Sequence, residues 1–309
     1  MYNEELKTKF AEEYTDKQST RTLCRKVFNR AQPFEEKCGK DLCQMSKDEV
    51  EAFADEMAPL RSSGKATRTV LRAYAKWCIK NEIQGACDAL FDIEFGTGKY
   101  KERTVSSPAH LQKCLDEVFH PESEGTLDNT ARCAFWLVYS GIRYNDIFSV
   151  KPENVDLSNM VFNFKGIQYP IYREAIACVR NCINLTEFHV IRPTSTIVKQ
   201  RHSGDTLLRG INSASPDPIF FSGEASKKIR KALKESRTEI ELTFYRVWLS
   251  GLFFKMYMDE LMGIPPDFSA IVDEEYDLRN RATKYNADKV RKIKEYEDDY
   301  QTWKSVLIR

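Results

Sequence analysis

A chain of 309 residues is long enough for two domains of ordinary size, and a hydrophobic content of 42% gives each of them a core. The 47 basic residues nearly balance the 46 acidic ones, so net charge is mild evidence against a nucleic-acid-binding protein, and the distribution of charge matters more than its sum. No apolar run approaches the ~20 residues of a membrane span, and the acidic, polar N-terminus is not a signal peptide. The nine cysteines lack a second Cys or His pair at zinc-site spacing, which indicates reduced thiols in a cytoplasmic protein without a metal site.

The N-terminal third is predicted to be helical throughout. Apolar periodicity predicts helices over residues 5–14, 20–38, 50–57 and 66–81, and the third of these follows a capping-box pattern at residues 46–49. The sequence Ser62-Ser63-Gly64 is expected to break the chain before the fourth helix. Glycines, a basic cluster and a Ser-Ser-Pro sequence make residues 92–109 the best linker candidate. We therefore place an N-terminal domain at residues 1–95, a linker at 96–105 and a second domain at 106–309.

The second domain is predicted to be mostly helical around one small sheet. Helices are expected over residues 106–118 and 127–139, followed by short strands at 155–157, 160–164 and 167–171 with turns at 158–159 and 165–166. A helix is expected at 173–182, a long Ser/Thr/Gly/Pro-rich loop at 191–218, and further helices at 224–236, 242–262 and 277–306. The predicted fold class is mainly α with a small antiparallel β-sheet (α+β).

Two stretches of the N-terminal domain carry basic residues with no acidic residue among them. The first recurs every three or four positions, which places it on one face of the fourth helix; it consists of Arg61, Lys65, Arg68, Arg72, Lys76 and Lys80. The second consists of Lys17, Arg21, Arg25, Lys26 and Arg30. An ordinary solvated helix face usually mixes both signs of charge. The unmixed stripes therefore favour a phosphate-contacting surface and double-stranded DNA as the partner, with a solvated face as the alternative.

Two arginines of the second domain stand beside apolar helices. One helix ends in Gly141-Ile142-Arg143, and Asp146 follows three positions after the arginine. An arginine just past a buried helix, with a carboxylate close enough to orient it, is suited to hold an anion. Arg246 lies at the beginning of another apolar helix.

These two boxes, together with the order of helical domain, linker and mostly helical domain, resemble the tyrosine recombinases (phage integrases). The resemblance covers nearly the whole chain and implies a helical, SAM-like core-binding domain followed by a catalytic domain. It implies that Arg143 and Arg246 hold the phosphate oxygens and that Lys165, in a hairpin turn, protonates the leaving group. Tyr285 is the implied nucleophile. No metal or cofactor is needed for this chemistry.

The sequence departs from the family pattern where the family handles protons. Asp146 stands in place of the glutamate of Gly-Leu-Arg-x-x-Glu, which is a conservative change. Thr243 stands where the second box, His-x-x-Arg, begins with histidine, and Tyr276 stands where the family has histidine or tryptophan nine residues before its tyrosine. The chain has four histidines, at positions 110, 120, 189 and 202, and none lies near either box. Losing a general acid or base typically costs ~10²–10⁴-fold in rate.

Three hypotheses follow from this sequence. The first is a sequence-specific DNA-binding regulator, repressor-like and encoded by a phage or mobile element, whose recombinase centre is eroded. The second is a working recombinase that integrates or excises DNA through Tyr285. The third is a helical protein-interaction module with no role on DNA, which the near-neutral net charge favours. The apolar stripe of the last predicted helix makes a homo-oligomer plausible under the first two.

Overall fold

The computed structural model describes residues 1–57, 61–95, 98–120, 127–192, 194–200, 205–209, 217–277 and 285–308. The chain divides into two compact units, Met1–Tyr100 and Lys101–Arg309, and the boundary falls within the predicted linker at 96–105. None of the helices in the described ranges combines the length and the hydropathy that crossing a membrane requires. The fold is mainly α with small antiparallel sheets, as predicted.

The N-terminal unit is a bundle of helices: α1 (Glu4–Tyr14), α2 (Gln18–Cys38), α3 (Lys47–Met57) and α4 (Arg61–Lys80). Short 3₁₀ helices follow α2 at Leu42–Gln44 and α4 at Ala89–Asp92. The core contains edge-on aromatic contacts: the ring centroid of Tyr74 lies 5.2 Å from that of Phe10 and 5.0 Å from that of Phe28. The four predicted helices are thus confirmed, with boundaries that differ by at most five residues.

The predicted break at Ser62-Ser63-Gly64 is wrong. Helix α4 begins at Arg61 and continues through Gly64, which is buried. Glycine in a helix interior costs only ~1 kcal/mol relative to alanine, and burial of the apolar face of α4, including Leu71 and Tyr74, outweighs that local preference. The basic stripe therefore lies on one uninterrupted helix.

A charged cluster lies inside the N-terminal unit. The Lys7 ammonium, which is fully buried, donates to both carboxylate oxygens of Glu35 and lies 3.6 Å from Asp41 Oδ2. The Tyr74 hydroxyl donates to Asp41 Oδ1 at 2.9 Å, and the Leu42 N–H donates to Glu35 Oε1 at 3.0 Å. Burial raises the pKa of Glu35 to about 7, against the opposing attraction of the Lys7 ammonium. The cluster links α1, α2 and α4 through polar contacts that exclude water.

The C-terminal unit contains helices α5 (Pro108–Val118), α6 (Leu127–Tyr139), α7 (Ile176–Asn184), α8 (Pro218–Lys234), α9 (Phe244–Leu261), α10 (Phe268–Asp277) and α11 (Tyr285–Leu307). Strands β1 (Val155–Asp156), β2 (Val161–Phe164) and β3 (Ile167–Pro170) form an antiparallel sheet in the order β1-β2-β3. Strand β2 pairs with β3 from Val161 opposite Pro170 to Phe164 opposite Ile167. This is the predicted small sheet, with its turn at 165–166.

Two parts of the predicted C-terminal unit need correction. Within the predicted loop at 191–218, residues Ser195–Gln200 form strand β5, which pairs antiparallel with β4 (Glu187–Arg192). The Thr-Ile-Val sequence at 196–198 favours a strand, but the neighbouring Ser, Thr and Pro residues obscured that signal. The predicted helix at 277–306 begins at Tyr285, preceded by the unpredicted helix α10. Residues 201–204, 210–216 and 278–284 lie outside the described residues.

The C-terminal helix α11 packs on its own unit. Tyr300 and Trp303 are fully buried; the Trp303 indole N–H donates to the Val105 carbonyl at 3.1 Å, and the Tyr300 hydroxyl donates to Glu260 at 2.6 Å. Val290 remains 69% exposed. Because the large aromatic side chains of the predicted apolar stripe are occupied within the unit, they are not available to a second copy. Self-association through this helix stays a prediction.

All nine cysteines are free thiols, and seven of them are buried. Burial raises the pKa of the Cys114 thiol to about 12, so it stays protonated at neutral pH. Among the described residues, no group of His, Cys, Asp and Glu side chains is arranged to hold a metal ion.

Helices α6 and α9 form the centre of the C-terminal unit. Every residue of α6 from Asp128 to Tyr139 is buried. Gly251 of α9 lies against the backbone of Tyr139, so closely that a Cβ atom at Gly251 would lie 1.8 Å from the Tyr139 carbonyl oxygen. The absence of a side chain at Gly251 therefore sets the distance between the two helices that carry the arginine boxes.

Candidate functional site

The first arginine box begins where α6 ends. The Ile142 N–H donates to the Leu137 carbonyl at 3.2 Å and the Gly141 N–H to the Val138 carbonyl at 3.0 Å, which is the bond pattern of a Schellman motif. Gly141 has φ +113°, and a Cβ there would lie 3.2 Å from the Tyr169 ring. Glycine at this position ends the helix and lets the β2–β3 hairpin approach. The turn delivers Arg143 to the end of α6.

Trp248 of α9 positions the Arg143 guanidinium. The guanidinium carbon lies 3.7 Å from the centroid of the Trp248 ring, a cation–π contact. The Trp248 indole N–H donates to the Gly141 carbonyl at 3.0 Å. One side chain thus fixes both the backbone of the first box and the plane of its arginine. Sequence reasoning did not identify Trp248, since its role depends on how α6 and α9 cross.

A cavity of about 430 Å³ opens beside Arg143. Its walls combine aromatic rings with a few polar groups, and they include Phe135, Arg143, Tyr144, Ser222, Ser226, Thr243, Phe244 and Trp248. The Tyr144 hydroxyl donates to the Pro218 carbonyl at 2.6 Å, and burial raises the pKa of Tyr144 to about 12. The Tyr144 hydroxyl is therefore engaged as a hydrogen-bond donor at the wall of the cavity.

Lys165 occupies the turn of the β2–β3 hairpin. Both turn residues have positive φ, +52° for Lys165 and +77° for Gly166, as a two-residue type I′ turn requires. The Lys165 ammonium lies 2.6 Å from Asp146 Oδ1, so the hairpin brings the lysine to the first arginine box. Lys165 is 54% and Asp146 27% exposed. Asp146 thus forms an ion pair with Lys165, and the expectation that Asp146 orients Arg143 stays a prediction.

The second arginine box begins at the N-terminus of α9. Thr243 is the N-cap residue, and its hydroxyl accepts a hydrogen bond from the Arg246 N–H at 3.3 Å. Arg246 is only 2% exposed, and its Nε and Nη1 atoms have no hydrogen-bond partner among the described residues. A buried guanidinium with unsatisfied donors is expected to bind an anion, because leaving it unpaired is costly. Thr243 lines the cavity, whereas Arg246 is not among the residues that line it.

The candidate nucleophile lies at the edge of the described residues. Tyr285 begins α11 and Tyr276 lies within α10, but the structure describes neither side chain. Arg143, Lys165, Thr243 and Arg246 can therefore be placed, while the roles of Tyr285 and Tyr276 stay predictions.

Two of the described histidines, His110 and His189, have contacts outside the two arginine boxes. His110 Nδ1 lies 3.1 Å from the Ser106 hydroxyl near the N-terminus of α5, and burial lowers the pKa of this imidazole. His189 lies in β4, 3.8 Å from Glu187. No histidine lines the cavity among the residues that the structure describes. The arrangement offers guanidinium groups for an anion and, within those residues, no imidazole to move a proton.

The basic stripe of α4 is here called the α4 stripe and consists of Lys65, Arg68, Arg72, Lys76 and Lys80. Lys65, Lys76 and Lys80 are exposed, and Arg68 and Arg72 are half-buried. The Lys76 ammonium lies 5.7 Å from the centroid of the Phe91 ring. Glu94, which follows the 3₁₀ helix Ala89–Asp92, forms ion pairs with both arginines. No acidic residue interrupts the stripe along the helix, but in the folded unit the carboxylate of Glu94 contacts it.

The basic residues of α2 are of two kinds. Arg25 and Lys26 are exposed. Arg21 donates to the Thr15 carbonyl at 2.8 Å, and Arg30 donates to the Met57 carbonyl at 2.9 Å. These two arginines contribute to the fold through the ends of neighbouring helices, so Arg25 and Lys26 are the better candidates on α2 for contact with a phosphate.

Comparison with known proteins gives one family match and several distant structural similarities. Residues 1–80 match the family model described as MrpR, N-terminal core-binding domain. The solved structures include XerA recombinase, with 12% identity over 86% of each chain and a TM-score of 0.38. The Tn1549 transposon integrase in complex with circular intermediate DNA has 13% identity over 85% of this chain and 88% of that one, with a TM-score of 0.36.

A lambda integrase tetramer bound to a Holliday junction has 13% identity over 84% of this chain and 73% of that one, with a TM-score of 0.36. No curated protein matches the sequence. The family model covers α1 to α4, the elements that the sequence predicted to form the core-binding domain. Over these N-terminal helices, the match to a core-binding domain agrees with the predicted resemblance.

Proposed function

We propose that this protein binds double-stranded DNA without cleaving it and acts as a sequence-specific, repressor-like regulator of a phage or mobile element. The N-terminal unit supplies phosphate contacts through the α4 stripe and through Arg25 and Lys26 of α2. The C-terminal unit retains the arginines of a recombinase centre. They hold a phosphate, while the histidine with which the family's second box would move protons during cleavage is replaced by Thr243.

The proposal depends mainly on what the side chain of Thr243 does in the structure. In the family pattern this position holds histidine, a proton donor and acceptor near neutral pH. Here the hydroxyl of Thr243 accepts the Arg246 N–H and caps α9, which is a structural use of the side chain. Threonine has no pKa near neutral pH and cannot replace an imidazole as acid or base. The second box therefore supports binding of an anion better than proton transfer.

The second candidate function is site-specific recombination through Tyr285. One observation favours it: the hairpin lysine, Lys165, lies against Asp146 of the first arginine box, where a proton donor for the leaving oxygen is needed. In this case Arg143 and Arg246 would stabilise the pentavalent phosphate, and Lys165 would be the acid. The two functions differ in one product, a phosphotyrosyl bond between the protein and DNA.

Capture of fragmented genomic DNA at near-physiological salt, followed by a denaturing detergent wash, tests the proposal. We expect fragments that share a sequence to be captured and then lost in the wash, with the same outcome for a Tyr285→Phe variant. Fragments that survive the wash with the wild type but not with Tyr285→Phe would establish cleavage and refute the regulator. If no fragments are captured, the helical interaction module becomes the better hypothesis.

A further inference from the structure

Glu94, near the end of the N-terminal unit, forms ion pairs with two arginines of the α4 stripe. Glu94 Oε2 is 2.5 Å from Arg68 Nη2, and Glu94 Oε1 is 3.5 Å from Arg72 Nη2. Arg68 and Arg72 are one helical turn apart, so one carboxylate reaches two consecutive arginines of the stripe. These arginines lie at the centre of the stripe, between Lys65 and Lys76.

The ion pairs between Glu94 and the two arginines are exposed to solvent. The Glu94 side chain is 67% exposed, and those of Arg68 and Arg72 are 29% and 38% exposed. Exposed ion pairs are weak, because water solvates each charge almost as well as the partner does. Glu94 is thus close enough to neutralise part of the stripe and weakly enough held to be displaced by another anion.

We propose that Glu94 competes with DNA phosphate for Arg68 and Arg72 and so lowers the affinity of the protein for double-stranded DNA. This inference rests on the proposed function. A carboxylate and a phosphate bind a guanidinium through the same charge-assisted hydrogen bonds. Each arginine must therefore give up Glu94 before it contacts a phosphate in full, and the displaced carboxylate then repels that phosphate.

An internal competitor for phosphate would increase the preference of a sequence-specific protein for its own site over random DNA. Binding to random DNA depends almost entirely on phosphate contacts. An internal carboxylate that weakens two of those contacts shortens the time spent on random DNA. Contacts to base edges are left untouched, and these are what distinguish one sequence from another.

Glu94→Gln in the full chain tests the competition, since glutamine keeps the size of the side chain and removes its charge. The probe is a fluorescent random-sequence duplex of about 40 base pairs, titrated by anisotropy from about 50 to 200 mM salt. We expect Glu94→Gln to bind ~3- to 10-fold tighter, the range that the loss of two exposed ion pairs allows. Glu51→Gln, which removes the same charge from an exposed position on α3, is the matched control. It is expected to change the affinity by less than ~2-fold, because salt screens the charge of an exposed side chain.

A double-mutant cycle attributes the gain to the two arginines. In a protein that carries Arg68→Gln and Arg72→Gln, we expect weaker binding and a salt slope smaller by about 1.8. We also expect Glu94→Gln to strengthen binding much less than in the wild-type background, because only the repulsion between carboxylate and phosphate is left to relieve. Circular dichroism verifies that each variant retains the helical content of the wild type.

The outcomes separate this inference from the proposed function. If the arginine variants weaken binding but Glu94→Gln binds no tighter than Glu51→Gln, the competition is refuted and DNA binding by the α4 stripe stands. A gain from Glu94→Gln that is equally large without the arginines refutes the competition as well. Arginine variants that bind like the wild type would overturn both the competition and the role of the α4 stripe.

Discussion

Replacing Gly251 by alanine should force α9 away from α6. The new Cβ would lie 1.8 Å from the Tyr139 carbonyl oxygen, 2.6 Å from its carbonyl carbon and 2.9 Å from its Cα. All three atoms belong to the backbone, so no side chain can rotate to make room. The helices must separate by roughly 1.5 Å to reach an ordinary van der Waals contact.

The magnitude follows from two opposing effects. Overpacking a well-packed contact costs about 1–3 kcal/mol, and a clash between two backbones belongs at the upper end of that range. Alanine returns up to ~1 kcal/mol of helix propensity. We therefore expect the free energy of unfolding to fall by about 2 kcal/mol, which lowers the melting temperature of a unit of this size by roughly 4–8 °C.

Thermal unfolding of the full chain, followed by calorimetry, measures this change in the transition of the C-terminal unit. Gly223→Ala is the matched control, because Gly223 lies in α8 with no atom within 4 Å of the new Cβ. The control is expected to leave the melting temperature unchanged or to raise it slightly. A Gly251→Ala protein as stable as the control would refute the close approach of the two helices. It would also remove the basis for the placement of Trp248 against Arg143.

Three further predictions concern other parts of the molecule. Arg246→Met should raise the free energy of unfolding by about 1–4 kcal/mol, since it removes a buried charge whose donors have no partner among the described residues. Inorganic phosphate should raise the melting temperature of the wild type more than that of this variant. Equal shifts would exclude Arg246 as an anion ligand. Gly141→Ala should destabilise the C-terminal unit by about 1–3 kcal/mol in urea unfolding, because φ is +113° and Tyr169 is close, whereas an unchanged midpoint would contradict the positive φ. The pKa of Glu35 is raised, so its carboxyl group binds a proton more tightly in the folded N-terminal unit than in the unfolded chain. This proton therefore contributes to the free energy of unfolding. The contribution is complete below the pKa of the unfolded chain and is lost as pH rises through about 7. Hydrogen exchange in α1 and α2, corrected for intrinsic rates, should show protection falling by up to about 3 kcal/mol between pH 5 and pH 8, and protection that rises over this interval would show that the Lys7 ion pair dominates.

Much of the helical framework could be predicted from the sequence, because helix periodicity and caps are local properties. The predicted helices at 127–139 and 242–262 correspond closely to α6 and α9, whose buried residues are mostly apolar. The turn at Lys165-Gly166 was also predictable, since glycine favours the positive φ that a two-residue turn requires. Local signals failed where tertiary contacts decide the outcome. Gly64 is kept in a helix by burial, and β5 depends on pairing with β4.

The candidate site was predictable in its residue types but not in its contacts. The Gly-Ile-Arg sequence pointed to Arg143, yet nothing in the sequence indicated that Trp248 would stack on it, because the two residues are 105 positions apart and meet only where α9 crosses α6. In the same way, Glu94 lies beyond α4 in the sequence and returns to it only in the folded unit. Contacts between residues that are distant in sequence depend on the tertiary fold, which composition and motif spacing do not reveal.

The cap formed by Thr243 ties the identity of this residue to the stability of α9. A threonine N-cap stabilises a helix by about 1 kcal/mol over a residue that cannot cap, and here the capped helix carries both Arg246 and Trp248. Histidine at this position would loosen the beginning of α9, and with it the segment that holds both side chains. An imidazole could therefore be introduced here only with a loss of stability, so the fold itself favours threonine at this position.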